Sequence, residues 1–228
     1  MLSSLDPDVV GNFQPGNMTR PLEPTECLLE MFSVPKQSLI PKQKSKFKHG
    51  KGDEAQRVLS EIVHNDEDFL ALFDRFISEV VLPPFKERLV KCGLAQNNVP
   101  TMFYYQCPPT LRIQPGPSSR HVRAHSDAMY GHQDGELNFW MPLTDPTLTK
   151  TDLWAESSPG KGDFKPLGAS MGEVVSFHGS SCFHHVPPNL SKFTRVSLDF
   201  RVGVKGFFDP TWRLRGTKAD HSRKQREI

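Results

Sequence analysis

From about residue 100 the chain becomes a series of short stretches rich in β-branched and aromatic residues, at 101–106, 110–114, 136–143, 152–156, 173–177 and 193–204. Turn signals separate them: Pro115-Gly116-Pro117, Asp134-Gly135, Pro159-Gly160 and Gly179. Short strands cannot each bury a face alone, so this spacing calls for a sandwich or barrel. Two helices precede them. Ala55, Val58, Leu59, Ile62 and Val63 fall on one helical face, with Asp53 as N-cap and Gln56 three residues later. Asn65 is placed to cap a second helix whose first turn, Asp66, Glu67 and Asp68, suits the helix dipole. Its apolar stripe is Phe69, Phe73, Phe76, Ile77 and Val80, and Pro83-Pro84 ends it or starts a new turn. The stripes read as scaffold, so the fold expected is mainly β, with N-terminal helices packed on one sheet.

The 228 residues favour a single domain. Residues 1–50, with six prolines, read as an irregular arm, 51–208 as the domain with its two leading helices, and 209–228 as a basic tail. The end of the arm and its border with the domain hold Lys42, Lys44, Lys46, Lys48 and Lys51, and the tail Arg213, Arg215, Lys218, Arg223, Lys224 and Arg226; both read as solvated surface. A net charge of +2 gives no reason to expect nucleic acid as a partner. No run approaches the roughly 18 apolar residues that span a bilayer, and the N-terminus has neither the basic start nor the apolar core of a secretory signal. Cys27, Cys92, Cys107 and Cys182 form no CxxC pair. Free thiols in a reducing cytoplasm are therefore the expectation.

The chemistry concentrates in a few residues. On an extended strand His125 and Asp127 point the same way and offer an imidazole beside a carboxylate. A second histidine arrives in Cys182-Phe183-His184-His185-Val186-Pro187-Pro188-Asn189. Adjacent residues of a strand face opposite ways, so only one of His184 and His185 can join the first pair. Two histidines and one carboxylate on one side of a metal leave positions open, the geometry of non-haem iron(II) oxygenases. A chelating co-substrate and dioxygen need those positions. Arg195, eleven residues after His184, is suited to grip the far carboxylate of such a co-substrate bidentately. Arg201 shares its face and is a rival for that task.

The block His-x-Asp, then His, Pro-Asn and Arg resembles the 2-oxoglutarate/iron(II) oxygenase superfamily, in particular its phytanoyl-CoA hydroxylase-like branch. Residues 130–144 (YGHQDGELNFWMPLT) and 194–202 (TRVSLDFRV) are similar to a smaller group typified by a streptomycin-biosynthesis oxygenase. The resemblance covers roughly residues 110–204. It implies a double-stranded β-helix (jelly roll), Fe(2+) held by His125, Asp127 and His184, and O2 and 2-oxoglutarate as co-substrates. A small polar metabolite would be hydroxylated, with release of succinate and carbon dioxide. The family spacing favours His184 over His185. A carboxylate at Asp127 argues against halogenation, since halogenases of the superfamily carry a small residue there.

Glu136, Asn138 and Trp140 share one strand face, while Leu137, Phe139 and Met141 read as core against the opposing sheet. Asn138, Gln114 or Arg112 could contact 2-oxoglutarate. His121 and His132 read as surface or supporting histidines, and His178 as structural or pocket-facing. The alternatives are a cupin-like metalloenzyme, which would not need Arg195, a non-catalytic jelly-roll binding module, and a demethylase or hydroxylase acting on nucleic acid or protein.

Overall fold

The computed structural model describes residues 54–119, 121–212 and 222–228. The arm, its lysine run, Asp53, Cys27 and the tail residues Arg213, Arg215 and Lys218 lie outside them. Helix α1 is Glu54–Asn65 and α2 is Glu67–Phe76. Asp66, not Asn65, caps α2: its carboxylate accepts from the Phe69 N–H at 2.8 Å. This cap answers one of the unpaired N–H groups of the first turn. The helix then runs through a π-helical turn, Ile77–Val81, into α3, Leu82–Lys91. Pro83 and Pro84 fall in the first turn of α3, directly after the π-helical turn.

Ten strands follow: β1 Met102–Gln106, β2 Thr110–Gln114, β3 Val122–His125, β4 Glu136–Pro142, β5 Trp154–Ala155, β6 Lys165–Pro166, β7 Val175–Phe177, β8 His184–Val186, β9 Arg195–Val204 and β10 Arg223–Glu227. A short helix, α4 (Pro146–Thr149), lies between β4 and β5. The larger sheet runs β10-β1-β9-β4-β7, with β2 also paired to β9; the smaller runs β3-β8-β5-β6. Every pairing is antiparallel, and neither sheet closes on itself among the described residues. No described helix is long and apolar enough to cross a membrane. The β10 strand departs from the solvated tail expected for this region: its backbone pairs with β1, Arg223 reaches Glu136 at 2.7 Å, and Arg226 pairs with Asp74.

The ten-residue β9 organises the molecule. Its Leu198, Phe200, Val202 and Val204 face outward onto Phe73, Ile77, Val81, Leu82, Phe85 and Leu89 of the helical layer. Leu137 and Phe139 of β4 join that cluster, and Phe139 stacks on Phe200 at 5.4 Å between centroids. These β4 residues therefore pack against the helices, not against the opposing sheet as their alternation had suggested. Alternation fixes that two faces differ, but only the position of the helices decides which is which. Each buried phenylalanine contributes roughly 1.5–3 kcal/mol. The other face of β9 carries Arg195, Ser197, Asp199 and Arg201 toward the small sheet. There a second cluster, Trp140, Val175 and Phe177 against Leu153, Ala155 and Val186, fills part of the space between sheets and leaves the rest to polar side chains.

Candidate metal centre

His125 closes β3 and His184 opens β8, and the two face each other as a register pair. Asp127 is off the strand: it begins a 3-10 turn, Asp127–Tyr130, instead of continuing β3. Ser126 between them keeps an extended backbone, φ −103 and ψ 150, so His125 and Asp127 still point the same way. The Asp127 N–H donates to the Gly179 carbonyl at 2.8 Å, which fixes the turn against the loop that leads to His184.

Ligand atoms of His125, Asp127 and His184 lie within 4.8 Å of one another. Asp127 Oδ1 is 3.8 Å from His125 Nε2 and 3.6 Å from His184 Nε2. Each imidazole donates its Nδ1–H to the carbonyl two residues back, His125 to Arg123 at 2.7 Å and His184 to Cys182 at 3.1 Å. Both Nε2 lone pairs are thereby directed inward, as metal-binding histidines require. Burial depresses the His184 pKa to about 4, so the ring is neutral near pH 7.

The other carboxylate oxygen is fully engaged. Asp127 Oδ2 accepts from Arg201 Nε at 3.0 Å, Arg201 Nη2 at 2.7 Å and Asn138 Nδ2 at 2.7 Å. Burial would raise this carboxyl, but the Arg201 charge, then His184 and His132, with the Asn138 hydrogen bond, hold it well below its ordinary value. Only Oδ1 is left to face a metal. Arg201 also donates to Gln106 Oε1 at 3.1 Å, so its guanidinium is committed to the protein.

Arg195 is buried at the start of β9, opposite Gln114. Its guanidinium lies 5.5 Å from the Trp140 ring centroid, two β4 residues from Asn138. Burial lowers its pKa to about 10, which leaves it cationic at neutral pH. Three buried polar atoms on this inner face have no hydrogen-bond partner among the described residues: Arg195 Nε, Ser197 Oγ and Asn138 Oδ1. Buried polar atoms are normally paired, so this set has hydrogen-bonding capacity left over.

The remaining candidates have other partners. Asn138 spends its nitrogen on Asp127, and Gln114 donates Nε2 to the Pro187 carbonyl at 2.9 Å. His185 faces outward, stacked on Trp154 and edge-on to Phe164. His121 is exposed, while His132 donates its Nδ1–H to the Glu136 carboxylate at 2.7 Å. His178 is buried against the Asp134 carbonyl and Ser181. Cys92, Cys107 and Cys182 are buried free thiols.

Sequence reasoning passed over Ser197, read Gly179 only as a turn residue and Asn189 only as part of the Pro-Asn block. Asn189 Nδ2 donates to the Gln114 and Phe193 carbonyls at 2.9 and 2.8 Å, and its Oδ1 accepts from Ser191. It thereby joins the end of β2 to the loop that delivers Arg195. Ser197 could have been found from its place two residues after Arg195; for the other two the turn and the Pro-Asn block were visible, but not the contacts they make.

No protein-family model matches the chain. Over 107 residues it is 34% identical to the streptomycin biosynthesis protein StrG of Streptomyces griseus, a match covering 47% of this chain and 50% of StrG. The chain thus aligns with half the length of that relative. Among solved structures, a non-heme monooxygenase, ThoJ, as its nickel complex, superposes with a TM-score of 0.42 at 18% identity over 61% of this chain and 59% of ThoJ. AviO1 of Streptomyces viridochromogenes Tue57 superposes with a TM-score of 0.37 at 16% identity over 57% and 59%. These overlaps are partial.

Proposed function

We propose that the chain is an Fe(2+)/2-oxoglutarate-dependent dioxygenase that hydroxylates a small polar metabolite. The two facing sheets are read as the halves of a jelly roll, and the domain as beginning near residue 51. The observation that carries the proposal is the division of labour at Asp127. One oxygen is saturated by three donors, and the other is left beside two inward-facing imidazole nitrogens. Two neutral nitrogens and one carboxylate oxygen suit a borderline divalent metal such as Fe(2+) with positions to spare.

His125, Asp127 and His184 would hold the metal, and Arg195 the distal carboxylate of 2-oxoglutarate, with Ser197 beside it. When bound, these groups supply the oxidation: O2 is consumed, 2-oxoglutarate becomes succinate and carbon dioxide, and one oxygen atom enters a substrate C–H bond. The protein positions. Arg201 and Asn138 fix the carboxylate, backbone carbonyls fix both imidazoles, and the unpaired Arg195 and Ser197 atoms await an acceptor. The inter-sheet cluster around Trp140 and Phe177 keeps bulk water from one side of the site. Similarity to StrG supports a role in biosynthesis of a small molecule, and nothing in the site calls for a membrane or nucleic acid.

The test is anaerobic addition of Fe(2+) and 2-oxoglutarate, followed by the weak visible metal-to-ligand charge-transfer band. The band should appear in wild type and His185→Ala, vanish in His184→Ala and need far more 2-oxoglutarate in Arg195→Ala. Its absence from folded, iron-loaded wild type would remove 2-oxoglutarate and favour a cupin-like or non-catalytic reading.

A further inference from the structure

Arg112 and Asp199 lie on the same inner face as Arg195, Ser197 and Arg201, but neither belongs to the set just described. In the β2–β9 register Arg112 is opposite Ser197, and Asp199 is next along on the same side. Arg112 Nε donates to Asp199 Oδ2 at 2.8 Å. Asp199 stands opposite Trp140, whose ring carries the Arg195 guanidinium. Arg112 is also near enough to Arg201 and Asp127 for both charges to act on it. The pair therefore sits between the arginine end and the metal end of the chamber.

It is also at the opening. Among the described strands β2 pairs with β9 alone, and it is followed in the chain by β3, the edge strand of the small sheet that carries His125. The Arg112 side chain is 53% exposed while that of Asp199 is 20% exposed. A guanidinium has two forks for a carboxylate or phosphate. Asp199 takes the Nε side, and the terminal nitrogens of Arg112 have no hydrogen bond to described residues. Stability does not explain this arrangement, since an ion pair this open to water contributes roughly 0–1 kcal/mol. Hydrogen-bond donors select what could bind there. Arg201 has committed its donors to Asp127 and Gln106 and Arg195 is reserved for the co-substrate, so the terminal N–H groups of Arg112, whose charge Asp199 balances, are the guanidinium donors left for whatever enters.

We propose that Arg112, braced by Asp199, anchors an anionic group of the substrate, a carboxylate or a phosphate, at the mouth of the chamber. The proposal rests on the metal and co-substrate reading above and adds a substrate class to it: a small metabolite carrying an acidic group on one side and the oxidised C–H bond on the other.

The experiment uses the full chain loaded with Mn2+ and saturated with 2-oxoglutarate, so that Arg195 is occupied. Inorganic phosphate and acetate are the probes, followed by paramagnetic relaxation of the phosphorus and methyl signals; the stronger probe identifies the anion class. A saturable enhancement in wild type should weaken about tenfold or more in Arg112→Gln, and partly in Asp199→Asn, with 2-oxoglutarate affinity nearly unchanged. No enhancement in wild type, or one that Arg112→Gln leaves intact, would overturn the proposal. So would loss of 2-oxoglutarate binding in Arg112→Gln, which would place Arg112 on the co-substrate. If Mn2+ does not bind, the metal reading fails separately. The Arg112 Nε–H signal in a nitrogen–proton spectrum of the metal-free protein, titrated with each probe, then decides the anion site alone: a shift upholds it and none overturns it.

Discussion

Replacing Arg201 with methionine removes both guanidinium hydrogen bonds from Asp127 Oδ2 and the one to Gln106, and leaves a buried carboxylate with Asn138 as its sole donor to that oxygen. A hydrogen bond to a charged group is worth about 1.5–3 kcal/mol. Breaking a buried ion pair from one side costs about 3–5 kcal/mol, consistent with two such bonds. For a domain of this size each kcal/mol moves the midpoint by about 2–4 °C, so the metal-free variant should melt roughly 6–20 °C lower. The pH dependence has a definite sign. In wild type the Asp127 carboxyl is depressed, so its contribution is present above the unfolded carboxylate pKa and is lost as pH falls through the lower folded value. Without Arg201, burial raises the folded pKa above the unfolded one, and protonation relieves the penalty. The deficit must therefore be largest at neutral pH and shrink toward pH ~4. Urea unfolding of both proteins in chelator at several pH values measures it. A neutral-pH deficit under about 1 kcal/mol, or one that grows toward acid, would refute the account of how Asp127 is held.

Further outcomes follow from the same geometry. A Cβ at Gly179 would lie 2.6 Å from Asn138 Cγ, so Gly179→Ala should push Asn138 off Asp127 and weaken metal affinity by about 10–100-fold; unchanged affinity by Mn2+ titration would refute this. Excess divalent metal at 100 times its dissociation constant should stabilise wild type by about 2.7 kcal/mol, and thermal shift should find this gain in His185→Ala but not in His184→Ala. His178 and His184 are depressed by burial to about 4, below the ordinary value of 6.5. Their neutral forms favour folding above pH ~6.5, and metal-free stability should fall as pH drops from there toward ~4; a flat urea midpoint across that window would contradict their burial. Asn189→Ala removes the tie between β2 and the approach to Arg195, and should raise the 2-oxoglutarate concentration needed for the visible band more than it alters metal affinity.

The strand series was legible because the stretches are rich in β-branched and aromatic residues and turn residues punctuate them, and the order His125, Asp127, His184, Arg195 could be read because the ligand types are rare together. What escaped was set by tertiary placement. Leu137 and Phe139 face helices instead of a sheet, a choice that alternation leaves open. Arg201 and Arg195 are equivalent by spacing and differ only in what lies opposite: Asn138 and Asp127 for one, Gln114 and the Trp140 ring for the other. The strand Arg223–Glu227 reads as solvated because four of its five side chains are charged, yet its pairing is made by backbone and by carboxylates far away in sequence, Glu136 and Asp74. Short β3, β6 and β8 have too few residues to show a period.

The two Nδ1–H donations to backbone carbonyls have a consequence for how the site is charged with metal. With the tautomers set by the strands, His184 neutral and Asp127 already ionised, those two ligands have no proton to surrender when an ion arrives near neutral pH. Capture is then limited by shedding the ion's own water, not by titration of these ligands. Neither His184 nor Asp127 should pass a proton to the buffer when the ion binds, as for a socket with two of its contacts already bare.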